Sequence, residues 1–143
     1  MARVQLELPQ KFSWSTSLRI RIYDTNFAAH LAHDRVISLL HEARARFFRE
    51  KGFSELDVNG IGIILTDLVV VYKAEAFFGD EAKIEIGASD FTSKGCDLYY
   101  RMMHTDGPIN GKPICEAKTG LVFMDYKTRT VVPVPEIFRS WFE

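Results

Sequence analysis

Hydrophobic and polar positions change their period along the chain, and the changes mark the elements. Val4, Leu6 and Leu8 alternate with polar residues and stop at Pro9, the pattern of a short strand, and Leu18, Ile20 and Ile22 alternate again with Arg19, Arg21 and Tyr23. Over residues 34–51 the spacing becomes helical. Val36, Leu40, Ala43 and Phe47 recur on one face, joined by Ile37 and Phe48, while Arg35, Glu42, Arg46 and Arg49 fall elsewhere. This spacing predicts one long helix, ended by Gly52, with Asp34 as its cap or as a first-turn acid that complements the helix dipole.

Residues 61–76 form a β-branched and aromatic run, including Ile63, Ile64, Val69, Val70, Val71 and Tyr72, which predicts a central strand covered on both faces. Gly79-Asp80 makes a turn, and Ile84, Ile86 and Ala88 then alternate with Lys83, Glu85 and Gly87, which predicts a hairpin. Ser93, Lys94 and Gly95 supply the next turn, 98–103 a strand, 105–113 a polar loop, and 114–126 the last long strand. Pro133 and Pro135 end regular pairing, and 136–142 reads as a short closing helix carrying Phe138, Trp141 and Phe142. The order is strands, one long helix, then antiparallel strands, with no βαβ crossover. The expected class is therefore α+β, one domain spanning 1–143 in which a single helix is wrapped by an antiparallel sheet. The apolar density of the later strands predicts a dimer with a continuous sheet.

Composition narrows the partners. At 143 residues and 47% hydrophobic the chain can bury a core without staples, so Cys96 and Cys115, which form no CxxC pair and no metal-ligand cluster, read as reduced core thiols. A reducing, cytoplasmic setting fits them. The net charge of -1 leaves no excess of positive charge for nucleic acid. No apolar run approaches the roughly 20 residues of a membrane span, and residues 1–10 lack the apolar centre of a signal peptide, so no membrane insertion is expected.

The run RIRIYDTNFAAHLAHDRVISLLHEARARFF, residues 19–48, resembles the start of hot dog fold thioesterases, especially their 4-hydroxybenzoyl-CoA and YbgC-like branch. In that family an acidic residue ends the first main strand, a loop with a His or Asn enters the central helix, and the helix carries a Glu-x-Ala-Arg element; here these are Asp24, residues 25–33 and Glu42-Ala43-Arg44. VVVYKAEAFFGDEAKIEI resembles the next hairpin of the family, and DYKTRTVVPVPE its usual ending. The resemblance implies a homodimer or dimer of dimers that hydrolyses acyl-CoA to a free acid and CoA, with coenzyme A as part of the substrate and no other cofactor.

Thioester hydrolysis needs an attacking water, a group to orient or deprotonate it, and donors for the oxyanion. The N–H groups near His33 and Asp34, at the helix start, suit the last role. The resemblance places the catalytic carboxylate of the 4-hydroxybenzoyl-CoA branch at position 26, where this chain has Asn26, an amide that orients water but takes no proton. Three readings stay open: a base at His30, His33 or Asp34; an Asn and His site resembling that of plant acyl-ACP thioesterases; or a non-hydrolytic acyl-thioester or fatty-acid binding protein. His30 corresponds to the His of the Gly-His-Val-Asn-Asn pattern, with Ala29 in place of its Gly, and His33 to the YbgC-like His. Asp24 is expected to anchor the loop through backbone N–H groups, and Glu42 to pair with Arg44 or Arg46. Thr66, in a Thr66-Asp67 pair expected to be buried, is a candidate to hold water or thioester in the partner subunit's site or else to bond across strands. Of Lys73, Lys94, Arg101 and Arg129, Lys94 on its turn is the preferred contact for the phosphates of CoA.

Overall fold

The computed structural model describes residues 2–143, so Met1 of the expected 1–143 span lies outside it. The elements are β1 (Trp14–Arg19), α1 (His33–Glu50), β2 (Gly62–Tyr72), β3 (Glu81–Ser89), β4 (Gly95–His104), β5 (Pro113–Asp125), β6 (Thr130–Val132) and α2 (Glu136–Ser140). The strands form one antiparallel sheet in the order β1-β3-β4-β5-β2, with β6 paired to β5.

The long helix forms where its apolar period placed it. Val36, Leu39, Leu40, Ala43, Phe47 and Phe48 are buried, whereas Ile37 lies on the outer face with 38% exposure. Gly52, at φ +86, ends it in the left-handed conformation that glycine tolerates. At the other end the cap residue is Ala32 and no side chain caps the helix, so Asp34 takes the first-turn role and not the cap. Phe47 stacks on Trp14 at 5.1 Å between ring centroids and meets Trp141 and Phe142 edge-on, while Phe123 meets Phe138 at 4.8 Å. The closing helix α2 thus seals one end of the core with the aromatic residues expected of it. Glu42 pairs with Arg46 at 2.8 Å, and the buried Arg44 pairs with Glu55 at 2.7 Å.

Four expectations change. Residues 4–8 form no strand, because the ladder of β1 on β3 begins at Trp14 and the preceding segment crosses over Gly87, where an added Cβ would lie 2.6 Å from the Lys11 carbonyl oxygen. The first strand stops at Arg19, and Ile22–Asp24 is a 3-10 turn. The run expected to be central is instead the edge strand β2, with Leu65, Leu68 and Tyr72 all more than 40% exposed. It does not form a hairpin with β3 either. The connection turns under the helix start, where Leu31 N–H donates to the Ala76 carbonyl at 2.7 Å, before Ile20 N–H meets the Asp80 carbonyl at 2.9 Å.

The fourth change concerns Thr66-Asp67, which is exposed and not buried. The register of β2 on β5 slips between Leu65↔Leu121 and Asp67↔Gly120, so Thr66 is the extra residue of a β-bulge. Asp67 Oδ1 accepts the Gly120 N–H at 2.8 Å and pairs with Lys118 at 3.0 Å. Gly120 makes room: a Cβ there would lie 2.5 Å from Thr66 Oγ1. The bulge also moves the core-facing phase of β2 from odd to even positions, because Ile63 opposes the buried Phe123 but Val70 opposes the buried Ala117.

Candidate active site

The loop from Asp24 to Ala32 is shaped mainly by its own backbone. Asp24 is buried and accepts the Arg21 N–H at 2.8 Å and the Arg21 guanidinium at 3.2 Å, the anchoring role expected of it. Burial alone would push its carboxyl up, but the Arg21 side-chain and backbone donors outweigh that and hold it below the ordinary value. The Asp24 carbonyl accepts the Ala32 N–H at 2.9 Å. Asn26 closes the turn: its N–H donates to the His30 carbonyl, its carbonyl accepts from Ala29, and its Oδ1 accepts from Ala28 at 3.0 Å. Ala29 sits at φ +65, a left-handed position, which explains why the pattern it resembles carries glycine there.

The chain then enters α1 with open donors. Val36 N–H makes the first intrahelical bond, to Ala32, and among the described residues the N–H groups of His33, Asp34 and Arg35 have no acceptor. The Tyr72 hydroxyl donates to the His33 carbonyl at 2.8 Å, tying the end of β2 to this first turn. A cavity of about 360 Å³ opens beside it, walled by Asn26, His30 and Leu31 of the loop, His33 and Val36 of α1, Tyr72 to Glu75 after β2, and Ile114 of β5.

Asn26, His30 and His33 are therefore brought to one cavity, and the other three candidates are not. Asp34 is on the exposed side of the first turn and outside the cavity walls. Thr66 lies at the bulge, several residues along β2 from Tyr72. Lys94 precedes β4 at the far end of the sheet: Gly95 pairs with Val122, eight residues from Ile114, or roughly 27 Å at strand rise. Of the four cations weighed, Lys73 borders the cavity and Arg101 is engaged by Glu85 at 2.6 Å. Glu75 is the wall residue that sequence reasoning missed. Its signal was weak, since it looked like the end of a strand, and only the turn of the chain under the helix start brings it here.

His30 Nδ1 lies 3.1 Å from the Leu31 carbonyl, which accepts and so fixes the ring proton on Nδ1. Nε2 has no hydrogen-bond partner among the described residues. Cys96 and Cys115 are buried and free, their thiols pushed up to about 12 by burial, so neither serves as a thiolate nucleophile. Among the described residues no three metal-binding side chains cluster, and no helix is long and apolar enough to cross a membrane.

Known proteins share this fold. The model of the thioesterase-like superfamily matches residues 20–142. A 1,4-dihydroxy-2-naphthoyl-CoA hydrolase of Synechococcus elongatus is 25% identical over 129 residues, covering 87% of this chain and 90% of the relative. A 1,4-dihydroxy-2-naphthoyl-CoA thioesterase structure from Synechocystis superposes with a TM-score of 0.78 at 15% identity, covering 90% of this chain and 93% of the other. A gentisyl-coenzyme A thioesterase structure superposes at 0.76 with 23% identity, covering 91% of this chain and the whole of the other. The helix held against a curled antiparallel sheet is the hot dog fold, and the chain belongs to the thioesterase-like superfamily, with thioester hydrolysis as its chemistry.

Proposed function

We propose that this protein hydrolyses CoA thioesters, aromatic acyl groups among them, in the cavity at the start of α1. The observation that carries the reading is the meeting of Asn26 and His30 in one cavity with the start of α1, whose first-turn N–H groups have no acceptor among the described residues. The thioester oxygen sits at the N–H groups of His33, Asp34 and Arg35, where aligned dipoles favour the charge that develops as the carbonyl becomes tetrahedral. Asn26 and the His30 Nε2 lone pair hold the attacking water. Asn26 cannot take its proton, so deprotonation falls to another cavity group: His30, His33 or Glu75. Lys73 is better placed than Lys94 to meet a phosphate of CoA within one subunit. The named relatives act on hydroxylated aromatic acyl-CoA, which favours testing such substrates first. Thiol release from 1,4-dihydroxy-2-naphthoyl-CoA, benzoyl-CoA and a butyryl to palmitoyl CoA series tests the reading. Turnover on at least one is expected, and tight binding with no turnover on any would return the chain to the non-hydrolytic binders.

The working unit is a homodimer, or a dimer of such dimers, formed along β2 by one folded domain per chain. What supports this is the open edge of β2 and its exposed Leu65, Leu68 and Tyr72, an apolar strand otherwise left as a template for pairing. Leu68→Lys is expected to shift the mass in solution from a multiple of the 16.4 kDa chain toward the single chain, read by light scattering. An unchanged mass would place the interface elsewhere. The free buried thiols support a cytoplasmic setting.

A further inference from the structure

We infer that Glu75 is the general base of this site, a role the loop itself leaves unfilled. The inference rests on the thioesterase reading above. Three observations carry it. First, Glu75 is the sole carboxylate in the cavity wall, and among the described residues it has neither an ion-pair nor a hydrogen-bond partner, whereas the neighbouring Lys73 lies 3.8 Å from Glu116. The Glu75 carboxyl group is thus not engaged in holding the fold together.

Second, the backbone brings it beside His30. His30 and Phe77 form an antiparallel bridge, and Leu31 N–H donates to the Ala76 carbonyl, so the segment that carries Glu75 is held against the entry to α1. Leu31, Ala32 and Ala76 are buried, whereas Glu75 is exposed and lines the cavity with His30. Glu75 stands two residues before the bridge partner of His30, the place of a diagonal neighbour, for which separations are about 7–8 Å.

Third, the histidine alternatives are less suited to gaining charge. An imidazole that becomes imidazolium is steadied by an anion on its other nitrogen, as in catalytic triads. His30 has there only the neutral Leu31 carbonyl. The ring of His33 has no anion beside it among the described residues, and the Tyr72 contact engages its backbone carbonyl.

The step balances with water alone. Water oxygen bonds to the thioester carbon as one of its protons passes to the Glu75 carboxylate, and the carbonyl π pair moves to the oxygen at the helix N–H groups. The oxyanion then re-forms the carbonyl, the C–S bond breaks with its electron pair leaving on sulfur, and the thiolate takes the proton from Glu75. The products are the acid and the thiol, with no oxidant or metal called for.

The test is steady-state thiol release by the full chain on whichever member of the CoA-thioester panel wild type turns over fastest. Glu75→Gln keeps size and polarity but removes the acceptor, and it is expected to lower kcat by at least about 100-fold with KM within about threefold. Adding Asn26→Asp to that variant puts a carboxylate on the facing wall and is expected to recover at least about tenfold. Glu75→Gln with kcat within about threefold of wild type would overturn the role, as would a change confined to KM or a double variant with no recovery. A wild type silent on the whole panel sinks the hydrolase reading and Glu75 with it, whereas an active wild type with an unimpaired Glu75→Gln sinks Glu75 alone. Matching thermal unfolding of the variants shows that chemistry, not folding, is being read.

Discussion

Changing Asn26, His30 and His33 together to alanine is expected to lower thiol release on the order of 10³-fold while the protein still folds. The three side chains wall the cavity, and the two that face the attacking water are lost together, so the water is neither oriented nor held near the carbonyl carbon. The helix N–H groups remain, which is why a residual rate persists. The cost to folding is small by comparison. Asn26 Oδ1 loses its bond from Ala28 N–H and His30 its bond to Leu31, each worth about 1 kcal/mol, and the loop keeps its backbone pairings to Ala76 and within residues 26–30. Activity within tenfold of wild type in the triple variant, at an unchanged melting transition, would move the site away from this loop.

Phe47→Ala carries the largest expected loss of stability, about 4 kcal/mol by equilibrium urea unfolding. Phe47 is fully buried and touches four aromatic neighbours, Trp14, Phe48, Trp141 and Phe142, contributed by β1, α1 and the closing segment. Those rings belong to different elements and cannot collapse together into the space left behind, so the cavity persists. Ile37→Ala, ten residues earlier on the outer side of the same helix, is the internal control, and about 0.5–1 kcal/mol is expected for its partial burial. Similar losses in the two variants would mean that the aromatic cluster does not organise the core.

The helix was the most legible element because its period is uninterrupted from Val36 to Phe48 and a single glycine ends it. The sheet was legible in its number of long strands but not in its order. The alternation of β2 was hidden by the bulge at Thr66: with apolar residues facing the core at odd positions before it and even positions after it, the run looks apolar on both sides and imitates a central strand. Likewise the hairpin pattern around Gly79-Asp80 reported a real turn but not the partner of the strand that follows, since β3 pairs with β4, the next strand, and with β1, far back in the chain, and not with β2. In the site, loop residues close in sequence were readable because one turn holds Asn26 and His30 together. Glu75 was not, because its position depends on a long-range pairing with the helix entry that no local pattern signals. Lys94 shows the same limit in reverse: its local turn was readable, but its distance from the cavity of the same subunit is set by the pairing of β4 with β5.

The bulge has a consequence for how this protein can change over evolutionary time. Ile63 and Tyr72 are nine residues apart, an odd number, and yet share a face of the sheet, because Thr66 is a residue that the ladder does not count. Loss of Thr66 alone would therefore close the bulge and leave the pairs on either side, Leu65↔Leu121 and Asp67↔Gly120, in register, with Tyr72 still opposite Cys115 and within reach of the His33 carbonyl. The bulge is thus spare length in the edge strand, a place where the chain can shorten by one residue without turning the tyrosine away from the site.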